Sequence, residues 1–297
     1  MSSFTADMLD DARRGGADLG VRAAIVTEFI HAIQADDGGF RGRDGRTDLY
    51  YTLFGLQCAR ALDIPLDWER VAAFLGRTDD RIDDLTHAAS LARCWALLPR
   101  DAMTDERQAA LLSRIAAFRA QDGGYALLAT MHAGSVYGSF LAFLAYQDFD
   151  QHVPHPERVL ACIRTLCTGD GGYANVPDTP LGTTPVTAAA LVLTHALGGV
   201  VDATTIAWLI ARHETGGGFT ATPGAPVPDL LSTATALSAL IRVGAPLSAL
   251  RESCRRFVLS LFDDRGGFHG TRYDDMIDCE YTFYGLLALG CLARVGA

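Results

Sequence analysis

Nearly apolar stretches and amphipathic stretches alternate along this chain. LSTATALSALIRV, beginning at Leu231, is almost wholly small or apolar, as expected of a helix buried on most sides. Residues 104–120 and 203–212 instead mix apolar and polar positions at helical spacing, the pattern of a helix with one face in solvent. Two-residue alternation is rare and β-branched runs are short, so the pattern predicts helices almost throughout.

A Gly-Gly-aromatic triplet punctuates this alternation. It recurs at Gly38, Gly123, Gly171, Gly217 and Gly266, at intervals of 85, 48, 46 and 49 residues. The first interval is nearly double, which predicts a sixth copy without its glycines at about residues 78–84. A helix start follows each copy: DLYYT from Asp48, DLTHA from Asp84, TTPVT from Thr183, DLLST from Asp229 and DCEYT from Asp278. The copy GSVYG, read from Gly134, is degenerate. The leading Asp or Thr is suited to cap a helix, since its oxygen can accept from free first-turn N–H groups. Glycine suits the tight turn between two helices, where φ > 0 is needed. The aromatic after it is expected to plug neighbouring repeats together. Six units of two helices predict an all-α ring, an (α/α)6 toroid, with residues 1–297 forming a single domain.

Charge and cysteine content narrow the possible roles. A net charge of −10 argues against nucleic acid as a partner and against an anionic membrane surface. The seven cysteines are irregularly spaced, and most fall within apolar helical stretches, so reduced, buried thiols are expected. The N-terminal residues lack a basic segment followed by an apolar core, and no apolar run reaches the length of a membrane span. A cytoplasmic protein is therefore expected.

DGGFRGRDGRTDLYYTLFGL (residues 37–56) and GGGFTATPGAPVPDLLSTATALSAL (residues 216–240) resemble the repeats of protein prenyltransferase β subunits and of squalene and class II terpene cyclases. The resemblance covers residues 21–295 and implies the toroid fold and isoprenoid chemistry. It also implies functional positions, of which few are kept. The prenyltransferase pattern places an Asp-x-Cys zinc pair at Asp229, where Leu231 stands for the cysteine, and a zinc-binding His where Tyr281 stands. Leu offers no donor and neutral Tyr is a poor ligand, so no zinc is expected. The cyclase pattern places its proton-donating Asp at Leu231. At the same helix position the six repeats read Tyr50, Thr86, Val136, Pro185, Leu231 and Glu280, so Glu280, beside Asp278, is the candidate acid. Asp83, Asp84 and His87 add a second candidate acid–base group.

The diphosphate-binding pattern is matched best in the first repeat, by Arg43 and Arg46 with Arg41 adjacent. His269 and Arg272 stand in the corresponding loop of the last repeat, and ring closure would place all five on one rim arc. A diphosphate there could bring Mg2+. The same arginines could equally pair with Asp36, Asp37 and Asp44 in a solvated loop. Tyr50, Tyr51, Trp95 and Tyr281 are candidate substrate-binding aromatics, whose π faces would stabilise a carbocation, or simple packing between helices. Three functions stay open: a single-domain terpene cyclase, a zinc-independent prenyltransferase acting on a small acceptor, and a non-catalytic lipid- or partner-binding toroid. A homo-oligomer or a helical partner subunit is compatible with each.

Overall fold

A computed structural model describes residues 3–78 and 82–295. Among the described residues thirteen α-helices carry the architecture, with two short hairpins and two 3-10 turns. The inner helices are α3 (Leu49–Ala61), α5 (Leu85–Leu97), α7 (Val136–Asp148), α9 (Thr184–Ala196), α11 (Leu230–Arg242) and α13 (Cys279–Arg294). They pack in chain order, and α13 returns onto α3, closing the ring. The outer helices α2 (Arg22–Ile33), α4 (Trp68–Thr78), α6 (Asp105–Ala116), α8 (Pro156–Thr165), α10 (Ala203–Ile210) and α12 (Arg251–Ser260) bury one face each. This is the α/α toroid that the repeat predicts.

Local chemistry explains how each unit forms. Asp48, Asp84, Asp229 and Asp278 cap α3, α5, α11 and α13 by accepting first-turn N–H groups. Thr183 makes no such bond at α9. Pro185 occupies the second helical position there and has no N–H to offer. In the degenerate repeat the cap is Ser135, which accepts from Gly138 N at 2.9 Å. The helix therefore begins one residue later than the sequence alignment placed it, and Tyr137, not Val136, takes the position equivalent to Glu280.

The triplets turn each outer helix into the next inner one. Gly217 has φ 103°, and a Cβ there would strike the Ser253 carbonyl of α12. Gly38 likewise faces Arg70 of α4, and Gly266 faces Ile25 of α2. These glycines, rather than the aromatics, form the joint between neighbouring repeats. Phe40 and Phe268 are fully buried within their own repeats, against Gly55 of α3 and Gly285 of α13. The aromatic N–H is held by a hydroxyl four residues after the cap: Phe40 by Thr52, Tyr125 by Ser139, Phe219 by Thr233. The glycine-free copy expected at residues 78–84 falls partly on residues 79–81, outside the described residues. The position four after its cap, Ala88, has lost the hydroxyl as well.

One element goes beyond the repeats. Helix α1 (Phe4–Leu19) is capped by Ser3 and begins where the inner helices end, with Phe4 against Phe140 at a 5.7 Å ring separation. It then runs antiparallel to α13. Gly15 meets the Leu286 carbonyl and Gly290 meets the Asp11 carbonyl, so neither position has room for a Cβ. Asp7–Arg242, Asp11–Arg294 and Asp18–Arg255 ion pairs tie α1 to the ring. No described helix is long and apolar enough to cross a membrane.

Candidate active site

The caps set a common register, so equivalent positions of the six inner helices form layers around the axis. Two residues after the cap stand Tyr50, Thr86, Tyr137, Pro185, Leu231 and Glu280. Five and six residues after it come larger aromatics, including Phe54, Phe140, Phe283 and Tyr284. Nine after it stand Gln57, Arg93, Leu144, Val192, Ser238 and Leu287. These layers enclose a central cavity of about 250 Å³, whose far end is closed by Phe4 and Met8 of α1. Its wall is mostly apolar and aromatic. Phe54 links Tyr50, Phe283 and Tyr284, with ring separations of 5.1, 6.0 and 5.5 Å.

Glu280 is the carboxylate among the cavity-lining residues. Burial lifts its pKa to about 7, with the nearby Asp278 charge adding to the lift. A 2.7 Å hydrogen bond donated by the Tyr50 hydroxyl and the charge of Arg43 pull the other way. Burial also pushes the Tyr50 phenol well above its ordinary range, so it stays a donor. A carboxyl poised near neutrality inside an apolar chamber can hold a proton and give it up.

Above the cavity lies a wider rim pocket of about 760 Å³, which shares Tyr50 and Tyr137 with it. Arg43, Arg46, Asp48, Tyr51 and His87 line this pocket. His87 bridges two caps, with Nδ1 2.5 Å from Asp84 and Nε2 3.3 Å from Asp48. The hydrogen bond to Asp48, opposed by partial burial and reinforced by Asp84, raises its pKa to about 9. His87 is therefore an imidazolium at neutral pH, which suits an ion pair better than a general base. Asp83 is exposed on the approach to α5 and lies outside the cavity.

The expected basic arc is not assembled. Arg43 is committed to acids: its Nε donates to Asp278 at 2.6 Å and its Nη2 to Asp274 at 2.8 Å, while its guanidinium lies over Tyr281. Asp278 thus serves as a cap and as a partner of Arg43. Arg41 turns outward to the carbonyls of Ala32 and Gln34. His269 is held by Asp263 and the Met276 carbonyl, and Arg272 is exposed over Tyr273. Arg46 remains exposed on the rim, with no ion-pair partner among the described residues. Trp95 is also misplaced: it is buried between α5 and α6 beneath Arg107, away from the cavity. Tyr50 lines both spaces, Tyr51 lines the rim, and Tyr281 packs between Arg43 and Gly270 at the entrance to α13.

The zinc positions do not fit the metal. Asp229 is a partly buried cap whose carboxylate holds Ser232 through both its N–H and its hydroxyl. Leu231 has no donor atom, and Tyr281 is covered by Arg43. Among the described residues, no group of three or more His, Cys, Asp or Glu side chains is placed to hold a metal. Six cysteines are buried and free; Cys167 is free and exposed.

Sequence reading missed Phe4, Met8, Gln57 and Arg93 as cavity residues. The register signal was available for Gln57 and Arg93, since each lies nine residues after a recognisable cap. Nothing local marks Phe4 and Met8, which reach the cavity only because α1 folds back across the ring.

The sequence pattern of the prenyltransferase alpha-alpha toroid domain matches residues 5–215 and 185–296. No curated protein matches the chain. Among solved structures, the chain is similar to the type II terpene cyclase MstE from Scytonema, with TM-score 0.65 and 15% identity over 94% of this chain and 98% of that one. It is equally similar to a variant of that cyclase in complex with its substrate geranylgeranyl dihydroxybenzoate, with TM-score 0.66 and 14% identity over 95% and 98%. Protein geranylgeranyltransferase-I of Candida albicans, complexed with GGPP, matches with TM-score 0.56 and 13% identity over 72% and 73%. At these identities the likeness shows the fold.

Proposed function

The chain belongs to the prenyltransferase alpha-alpha toroid domain family, and on that premise we propose that it is a terpene cyclase that starts its reaction by protonating an alkene of a polyprenyl substrate. The observation that carries this reading is Glu280, a largely buried carboxyl of pKa about 7 in an aromatic-walled cavity. The likeness to a cyclase in complex with geranylgeranyl dihydroxybenzoate supports the substrate class.

The proton moves from Glu280 to one alkene carbon, and a second alkene attacks the cation, forming the new C–C bond. The π faces of Tyr50, Phe54, Phe283 and Tyr284 stabilise the migrating positive charge while the apolar wall keeps water away. Loss of a proton from the last cation ends the sequence. The Glu280 carboxylate then regains its proton from the rim side, where the Tyr50 hydroxyl bonds it and borders both spaces. Cyclisation without a departing group leaves the molecular mass unchanged, whereas prenyl transfer joins two molecules.

Incubation with farnesyl and geranylgeranyl diphosphates and with geranylgeranyl dihydroxybenzoate, followed by mass spectrometry, separates these cases. The cyclase reading expects a product isomeric with its substrate, and loss of turnover on the order of 10²-fold or more in Glu280→Gln. Full turnover in that variant refutes the role of Glu280. A prenylated acceptor, or tight binding without any product, refutes the cyclase reading itself.

A further inference from the structure

The floor of the cavity holds a side chain whose hydrogen-bonding capacity the protein does not use. Gln57 lies nine residues after the Asp48 cap, on the layer next to Phe4 and Met8, and is 1% exposed. Neither its amide nitrogen nor its amide oxygen has a hydrogen-bond partner among the described residues. A buried amide in that state is costly, because its bonds to water are lost and not replaced. The architecture does not require a polar group there. Leu144, Val192 and Leu287 fill the same layer in other repeats and line the same cavity. The neighbouring polar residue on this layer, Arg93, is already engaged, by Asp148 at 2.9 Å and Thr5 at 3.2 Å.

We infer that Gln57 is a specificity-determining residue whose carboxamide hydrogen-bonds an oxygen-bearing group of the ligand at the floor of the cavity. The inference rests on the reading of the cavity as an isoprenoid site. Tyr50, which holds Glu280, and Gln57 share one face of α3 seven residues apart, so acid and amide are separated by about 10 Å along the helix. The preferred ligand is therefore an isoprenoid with an oxygen function, such as a hydroxyl, at one end and an alkene about that far away. A plain hydrocarbon would leave the amide unpaired and bind less well, since a site with a buried polar group discriminates against ligands that cannot answer it.

The test compares equilibrium binding of farnesol and of its hydroxyl-free counterpart farnesene to the wild type and to Gln57→Leu, together with melting of each free protein. Wild type should prefer farnesol by on the order of tenfold or more. Gln57→Leu should lose that preference while melting at the same or a higher temperature, because an unpaired amide has been replaced by a side chain the layer accepts. A preference for farnesol that survives in Gln57→Leu shows that the oxygen is read elsewhere and overturns the inference. Equal wild-type affinities also overturn it, and leave the isoprenoid reading standing. A lower melting temperature for Gln57→Leu assigns Gln57 a structural role and overturns it too. Failure of the wild type to bind either compound removes the isoprenoid reading and the inference with it.

Discussion

Replacing Tyr50 by Phe tests the proposed acid directly. The phenol donates a 2.7 Å hydrogen bond to Glu280 and stabilises its carboxylate form, against burial, which favours the protonated form. Phe keeps the ring, and with it the packing on Phe54, but removes the donor. A hydrogen bond to a charged group is worth about 1.5–3 kcal/mol, so its loss should raise the pKa of Glu280 by about one to two pH units. Only protonated Glu280 can start the reaction. For the wild type, kcat/KM should be level in acid and fall tenfold per pH unit above about pH 7. In Tyr50→Phe that falling limb should move to about pH 8–9. A requirement for Tyr50 in returning the proton would instead lower kcat without moving the kcat/KM limb, so the two roles separate. A limb that stays near pH 7 in the variant, or moves down, refutes the account of how Glu280 is tuned.

Two further outcomes follow from the same electrostatics. Glu280 has a pKa of about 7 when folded against an ordinary 4.5, so the unfolded chain releases its proton first as pH rises. Stability is therefore lost between about pH 4.5 and 7, by up to about 3 kcal/mol at 1.36 kcal/mol per unit. Denaturant unfolding should accordingly show Glu280→Gln gaining on the wild type by that order between pH 4 and pH 8; a pH-independent difference contradicts the burial. The His87 ring should titrate near pH 9 by NMR, and Asp48→Asn should lower that value by removing one of the two carboxylates that hold it. The stabilising contribution of this imidazolium is complete below about pH 6.5 and is lost as pH rises through 9. Titration at an ordinary imidazole value in the wild type would show that the two caps do not hold it.

Much of the ring was legible in the chain, because its signals are local. A glycine with positive φ, a capping Asp and a buried Ala- and Leu-rich run each declare themselves within a few residues. Their recurrence implies stacking, since one helix pair cannot cover its own apolar face. Glu280 was legible for the same reason: counting from the caps compares like positions, and one of them is a carboxyl. The count slipped at the degenerate repeat, where Ser135 rather than Gly134 starts the helix. The hydroxyl of Ser139, four residues on, carried the signal that would have corrected it.

Residue types and spacing, then, determined the helices, their caps, their six-fold repetition and the candidate acid, because those depend on neighbours along the chain. Ring closure decided the rest. It sets Arg43 against Asp278, 235 residues away, and so removes from the rim a cation that the loop alone appeared to offer. It brings Tyr50 of the first repeat to Glu280 of the last, which keeps the acid near neutrality rather than higher. It lays α1 across the open end and leaves Gln57 buried without a hydrogen-bond partner among the described residues. Desolvation and ion pairing act through space, and distances across the axis are fixed only when the last helix meets the first.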